Sequence, residues 1–182
     1  KEIRPEILNV VQENHADEIV AFKNGYFLTK PAFYVARNNA PQDKINQLNE
    51  YLYRSYKHAA DNKAVDWFHT CGKGVILVEP DRGNDPDTPV HAYALDPRSA
   101  FVVYSLRPGN EPVMGVNMVV VDGTAKFDVF TKDTVYHLSG GATGRMMTTQ
   151  VNHDFLATAV SVDSYEPNPL GLIPIIEYRY NS

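Results

Sequence analysis

Turn-forming residues punctuate the last two thirds of this chain and separate short apolar segments. The clearest turn is Asp122-Gly123, which favours a two-residue hairpin because its backbone adopts the left-handed dihedrals of a type I′ turn. Residues 75–78 are continuously apolar, as expected of a strand buried on both faces. We therefore predict a final apolar strand near the end of the chain and earlier strands at residues 75–78, 90–95, 100–105, 113–121, 126–130, 134–138, 146–151 and 157–165.

Helical spacing dominates the first third of the chain. One predicted helix begins near Pro41 and places four apolar side chains on one face: Ile45, Leu48, Leu52 and Tyr56. A second helix is predicted over residues 61–70 and ends at Gly72-Lys73-Gly74, where glycine accepts a left-handed cap. This order predicts an α+β fold, with N-terminal helices packed on a largely antiparallel β-meander. We expect one domain, mainly helical over residues 1–72 and mainly β over residues 73–182.

The segment at residues 17–34 combines a short helix with a strand. Asn14 and Asp17 are suitable caps, and three apolar residues at helical spacing predict one buried face: Ile19, Phe22 and Tyr26. Gly25 interrupts the helical pattern, so we expect close packing or the helix end there. Lys30-Pro31 stops the helix, since a residue before proline favours an extended backbone. Residues 32–36 then have the composition of a strand.

Composition limits the partners and the compartment. The chain has 182 residues and one cysteine, Cys71, which excludes an intramolecular disulfide framework and a multi-cysteine zinc site. A net charge of −5 argues against general attraction to nucleic acid or anionic membranes. No apolar run approaches the roughly 20 residues of a membrane span. We expect a reducing, cytosolic origin, and both chain ends have the character of cuts in a longer protein.

Several landmarks in fixed order resemble the body (wing) region of tailed-phage portal proteins, the siphophage-type head–tail connectors. The first is the helix–Gly-Tyr–Lys-Pro–strand junction, and the second is the helix at residues 66–75 that runs through Gly72 into an apolar strand. The others are Asp96-Pro97-Arg98 before a Val-Tyr strand, a hairpin at residues 130–136, and the segment at residues 168–178. The motif positions expected to set the shape of the wing are Gly25, Tyr26, Pro31, Gly72, Asp96, Pro97, Gly171 and Pro174.

The resemblance implies a ring of about a dozen copies at one capsid vertex of a phage or prophage, made in the bacterial cytoplasm. Such a ring forms the DNA entry and exit channel and docks the packaging ATPase (terminase) and head-completion proteins. The chain stops where the stem, clip, channel-lining helix and crown would follow, so DNA contacts are expected outside it. We therefore expect wing scaffold without catalytic residues, cofactor, metal or membrane contact, and a fragment that is monomeric or weakly associating.

Other chemistry is poorly supported by the residues. The glycine cluster at residues 140–145 lacks a Gly-Lys-Ser/Thr ending and a following helix, so a flexible hairpin loop is the better interpretation. An acidic loop has the wrong residues for an EF-hand and leaves only weak ion binding open: Asp81, Asp85 and Asp87. Six histidines include no pair at i, i+4 spacing for a zinc site. Cys71, two residues from His69, is interpreted as a buried structural thiol.

Two other function classes remain as alternatives. The chain could be a β-rich protein-binding module of a phage or cell-surface assembly, or an unrecognised hydrolase. The hydrolase interpretation needs a catalytic pair that no motif displays. Aromatic and basic residues share the helix at residues 45–56, where Tyr53 and Arg54 suit a subunit contact better than base stacking.

Overall fold

The computed structural model describes residues 14–37, 41–83, 85–140 and 160–180. Three helices precede the strands in this part of the chain: α1 His15–Phe27, α2 Gln42–Arg54 and α3 Lys57–Cys71. Eight strands follow in the same described ranges: β1 Lys73–Pro80, β2 Val90–Leu95, β3 Ala100–Tyr104, β4 Pro112–Val121, β5 Thr124–Phe130, β6 Thr134–Gly140, β7 Ser161–Pro167 and β8 Ile175–Arg179. The predicted α+β class is confirmed.

The strands form two antiparallel sheets in the described residues. One has the order β2-β1-β8, and the other is a five-stranded meander, β3-β4-β5-β6-β7. The meander was predicted, whereas the return of β8 to pair with β1, about 100 residues earlier, leaves no local signal in the sequence. The positive φ values of Asp122 (49°) and Gly123 (76°) fit the predicted hairpin turn.

The two sheets enclose the main hydrophobic core. Its buried members come from both sheets: Val75, Leu77, Ala100, Val102, Phe130, Val135 and Ile175. Gly115 lies at a close approach between the sheets, since a Cβ there would stand 3.1 Å from side-chain atoms of Ile173 and Ile175. The opposite face of the three-stranded sheet is covered by α3, so β1 is buried on both faces as predicted.

Helix α3 lies tightly against β1. A Cβ on Gly74 would stand 2.7 Å from the carbonyl oxygen of Ala64, a distance that real Cβ atoms do not show. Helices α1 and α2 contact α3 in turn. Helix α3 begins four residues before the predicted start, because Tyr56 has a left-handed backbone (φ 53°) and breaks the chain direction between the two helices. Tyr56 is therefore exposed, and its predicted place in a buried stripe is wrong.

The predicted buried face of α1 is also wrong. Its three apolar residues are exposed, whereas Val20, Asn24 and Leu28 lie half-buried on the side near α3. Gly25 neither ends the helix, which continues to Phe27, nor packs closely, because no atom lies within 4 Å of a Cβ placed there. Periodicity correctly identified an apolar face, but the side that packs within the chain is the other one.

Residues 32–36 form no strand. They lie in an extended segment whose middle is held by the side chain of Asn49 on α2. The Tyr34 N–H donates to Asn49 Oδ1 (2.7 Å), and Asn49 Nδ2 donates to the Tyr34 carbonyl (2.8 Å). One amide side chain thus satisfies both backbone groups of one residue, which is the pairing that a neighbouring strand would have supplied.

Most other predicted strands are confirmed within a few residues. The segment at residues 157–165 corresponds to β7, which begins at Ser161, and the predicted strand at residues 146–151 lies outside the described residues. The glycine cluster lies outside them as well, except for Gly140 at the end of β6. Among the described helices, none has the length and apolar character needed to span a bilayer.

Candidate assembly site

A buried carboxylate joins the two sheets. Glu177 on β8 pairs with Val75 in the strand register, and its side chain has no exposed surface. One oxygen, Oε1, accepts from Lys73 Nζ (2.6 Å) and from the Val102 N–H of the other sheet (2.9 Å). The other oxygen, Oε2, accepts from Arg179 Nη2 (2.7 Å) and Nε (3.1 Å). We call this group of residues the Glu177 junction.

The negative charge of Glu177 is compensated within the junction by cations and hydrogen-bond donors. Burial would raise the pKa of Glu177, but the hydrogen bonds from Lys73, Val102 and Arg179 outweigh it and hold that pKa below its ordinary value. Lys73 Nζ also donates to the Ala100 carbonyl (3.1 Å), and the Arg179 guanidinium lies 5.6 Å from the centre of the Tyr104 ring. Burial and then the negative charge of Glu177 raise the pKa of Tyr104. A carboxylate engaged in this way acts as a structural tie between β1, β3 and β8.

A second tie joins the turn before β3 to α3. Arg98 forms a two-pronged ion pair with Asp96 (Nη2–Oδ2 2.6 Å) and lies 5.2 Å from the centre of the Trp67 ring. Lys63 approaches the same ring at 5.1 Å. Hydrogen bonds from Arg98 lower the pKa of Asp96. The Asp-Pro-Arg landmark thus presents a cation to an aromatic face on the neighbouring helix.

A third tie fixes the chain between β7 and β8. Asn168 Nδ2 donates to the carbonyls of Thr131 (2.7 Å) and Leu172 (2.8 Å). The Asn168 backbone N–H donates to the backbone carbonyl of Asp133 (2.9 Å). Its Oδ1 accepts from the Leu170 N–H (3.0 Å). One asparagine therefore connects the landmark at residues 168–178 to the hairpin at residues 130–136, which lies more than thirty positions earlier.

A fourth tie links α1 to α3. Asn24 Nδ2 donates to Asp66 Oδ1 (3.1 Å), and Asn24 Oδ1 lies 2.8 Å from His69 Nδ1. Phe27 contacts the same histidine ring, with ring centres 6.4 Å apart. The first sequence landmark is thereby connected to the second. Cys71, predicted to be buried, is exposed at the end of α3, so that prediction is wrong.

The predicted shape-setting residues fall at ends and turns in six of eight cases. Gly72 caps α3 with φ 73°, and Gly171 has φ 62° before β8. Asp96-Pro97 opens the turn before β3, and the Pro174 carbonyl accepts from the Val78 N–H (3.0 Å). Pro31 begins the extended segment after α1, whereas Gly25 and Tyr26 lie within α1, Tyr26 with 75% of its surface exposed.

A cleft of about 690 Å³ lies between the extended segment, the α2–α3 corner and the loop before β2. Its charged side chains pair with one another: Lys57 with Asp61 (2.6 Å) and Arg54 with Asp87 (3.0 Å). Arg54 also pairs with Glu50 (2.8 Å). The charges of these side chains neutralise one another, and the pairs do not have the arrangement of a nucleophile aligned with a base.

The acidic loop is organised by its own backbone. Asp81 accepts from the Asp85 N–H (2.8 Å) and lies 3.1 Å from His91 Nε2, while Asp85 accepts from the Asp87 N–H (2.9 Å). The hydrogen bonds from the Asp85 N–H and from His91 lower the pKa of Asp81. Across the described ranges, no group of three or more histidine, cysteine or acidic residues is arranged to hold a metal ion.

Apart from Asp96, the residues that make the ties were not singled out from the sequence. Glu177 carried one available signal, a lone acidic residue within an apolar strand, which implies a partner if the strand is buried. Its partner Arg179 lies two residues further along the same strand, whereas Lys73 is brought to it only by the β1–β8 pairing. Trp67 and Asn168 were each inside a quoted landmark, but neither was assigned a contact.

Comparison with known proteins gives one family. The family model described as "Phage portal protein, SPP1 Gp6-like" matches residues 6–182. A comparison with curated proteins found no match.

Proposed function

We propose a function from one premise: this chain belongs to the phage portal proteins of the SPP1 Gp6-like family. Its general role is therefore that of a structural protein of the phage portal. Beyond this, we propose that residues 14–180 supply the wing scaffold of a portal subunit and that the subunit closes into a ring of about a dozen copies. In this proposal the ring is the entry and exit point for DNA at one capsid vertex.

The observation that carries the scaffold proposal is the mutual contact of the sequence landmarks. Each of the four ties connects segments that are distant in the chain, and the Glu177 junction alone connects three strands from two sheets. Such cross-connection suits a body that must keep its shape under mechanical load. We assign the shape-setting role predicted from the sequence to the six motif positions that lie at element ends and turns: Pro31, Gly72, Asp96, Pro97, Gly171 and Pro174.

The partners follow from the same role. We propose that the assembled ring docks the packaging ATPase and, after packaging, the head-completion proteins, and that contacts to DNA are made by other parts of the subunit. The net charge of −5 supports this division, since a DNA-contacting surface would favour positive charge. We propose no catalytic step for this chain.

Localisation within the particle tests this function. Phage carrying a small epitope tag in the loop at residues 106–111, which is exposed, should bind gold-labelled antibody at one vertex per head. An amber mutation in the same gene should yield heads without packaged DNA. Label distributed over the whole head or over the tail tip would support the protein-binding module instead and overturn the portal proposal.

A further inference from the structure

The five-stranded sheet has an apolar face that no described element covers. Residues that pair side by side across neighbouring strands form a row on one face of the sheet. The row that faces the three-stranded sheet includes Val102, Gly115, Phe130 and Val135. Shifting by one residue along each strand gives the opposite face, because side chains alternate. That row crosses all five strands and is apolar or aromatic throughout: Phe101, Val116, Val129, Tyr136 and Tyr165.

The neighbouring row on the same side continues the pattern. It consists of Met118, Phe127, Leu138 and Val162. The two rows together are called the outer sheet face. Its rim is open to solvent, with Phe101 45% and Tyr165 73% exposed, while Val116 near its centre is buried. The inward side of the same strands carries Asn117, Asp128 and His137, so the outer sheet face is the more apolar side of the strands at this end.

Helix α1 presents a second uncovered apolar surface. The α1 stripe consists of Ile19, Phe22 and Tyr26, each more than half exposed. At about 100° per residue, this stripe points about 165° away from the side formed by Val20, Asn24 and Leu28, which lies near α3. The stripe therefore faces away from the described part of the chain.

The two surfaces lie at opposite ends of a layered structure. Helix α1 contacts α3, α3 covers one face of the three-stranded sheet, and the five-stranded sheet covers the other face. The order of layers is thus α1, α3, three-stranded sheet and five-stranded sheet. The α1 stripe ends this stack on one side, and the outer sheet face ends it on the other.

We propose that the α1 stripe of one subunit packs on the outer sheet face of the next copy of this chain. The pairing is head-to-tail, which is the kind of contact that closes into a ring when the rotation permits. The dimensions agree: 13 residues of helix are about 20 Å long, and five strands at about 4.8 Å spacing are about 19 Å across. This assignment rests on the proposed ring and identifies the surfaces that build it.

The area predicts a weak contact for an isolated pair. A helix about 20 Å long and about 10 Å wide covers about 200 Å² per subunit, roughly a quarter of the area in a standard stable interface. Two copies of residues 1–182 should therefore associate only transiently, which agrees with the weak association expected from the sequence. In a closed ring every subunit makes the contact twice, and this raises the stability of the assembly.

Pairwise cross-linking tests the arrangement. In a Cys71→Ser background, which removes the one cysteine of the chain, Phe22→Cys is placed in one sample and Val129→Cys in another. A short bis-maleimide reagent should give a cross-linked dimer when the two samples are mixed. Each sample alone should remain monomeric on a denaturing gel, because equal surfaces do not meet in a head-to-tail contact.

Matched variants make the result specific. Lys44→Cys on the exposed side of α2 should give no dimer with the Val129→Cys protein. Adding Phe22→Asp to a protein that carries Ile19→Cys should reduce the dimer yield with the Val129→Cys protein at least tenfold. Tyr53→Asp, at an exposed aromatic on α2, should leave that yield unchanged. Circular dichroism checks that each variant remains folded.

Three results would overturn the proposal. One is efficient dimer formation by either cysteine variant alone, which indicates like surfaces meeting. Another is no dimer in the mixture, and the third is a folded Val129→Cys protein that resists a single maleimide because its own chain covers the face. Rings seen by electron microscopy without the mixed cross-link would reject these surfaces and leave the portal function intact. Absence of rings in the protein extracted from phage heads would reject the function itself.

Discussion

At the scale of single residues, the organising feature is a carboxylate that has lost all contact with solvent. Burying such a charge is costly unless it is paired and hydrogen-bonded. Glu177 meets both conditions, because two cationic side chains and one backbone N–H approach its oxygens within 2.6–3.1 Å. Removal of the charge leaves Lys73, itself largely buried, without its anion.

We predict that Glu177→Gln lowers the free energy of unfolding at pH 7 by about 3 kcal/mol. Urea denaturation followed by circular dichroism measures the change. The matched control is Glu50→Gln, which alters an exposed pair with Arg54 on one helix and should leave stability within the error of the measurement. Equal effects of the two substitutions would contradict a special role for the junction.

The same junction predicts a pH dependence. The pKa of Glu177 is lowered in the folded protein, so its stabilising contribution is fully present above the unfolded-state value and is lost as the pH falls through the folded-state value. The difference in unfolding free energy between the wild type and Glu177→Gln should be constant from pH 7 to pH 5, and should narrow below about pH 4.3. A difference that widens on acidification would be inconsistent with this sign.

Trp67 offers an optical readout of the Asp-Pro-Arg landmark, because it is the one tryptophan of the chain. Arg98→Met should shift the fluorescence maximum of the folded protein, since the guanidinium 5.2 Å from the ring centre is removed. Arg82→Met, at an exposed ion pair with Glu166, serves as the control and should leave the spectrum unchanged. An unchanged spectrum in the Arg98 variant would show that the cation does not contact the ring in solution.

At the scale of helices and strands, the sequence was most informative where the signal is local. Turn residues and apolar alternation located β2 to its residue limits and predicted the hairpin at Asp122-Gly123, because both depend on neighbouring residues. The pairing of β8 with β1 and the four ties depend on segments far apart in the chain. No pattern within one segment specifies them, so neither the two-sheet arrangement nor the site was predicted in full.

The error on α1 has a different cause. Apolar periodicity indicates a face that avoids water, but it does not identify what covers that face. In α1 the intrachain contact is made through Asn24, and the periodic apolar stripe is left outward. The segment at residues 32–36 shows the same limitation, since its backbone partner is one side chain on α2.

Two glycines provide a matched test of packing between elements. Gly74→Ala should destabilise the protein by about 2 kcal/mol, because the new Cβ would stand 2.7 Å from the Ala64 carbonyl between α3 and β1. Gly25→Ala should stabilise it by roughly 0.5–1 kcal/mol, because a helical position with open space gains from alanine. Thermal unfolding of both variants checks the opposite signs, and a Gly74→Ala protein as stable as the wild type would reject the α3–β1 packing described above.

At the scale of the whole molecule, the structure is a stack of layers closed internally by ties and left apolar at both ends. The interior connections hold the layers together, and in the assembly proposed above the two apolar ends meet between neighbouring copies. The chain belongs to the phage portal family, and a portal is built from copies of one subunit. Apolar surfaces at both ends of the stack suit contacts between such copies. The central claim is therefore that this chain is part of a subunit that assembles into a closed ring.

Native mass spectrometry of the protein extracted from phage heads tests that claim most directly. We predict one dominant complex of about a dozen identical subunits, seen as a ring with a central opening when the same sample is imaged by electron microscopy. A protein that is extracted as a monomer, or as a complex without rotational symmetry, would contradict the account.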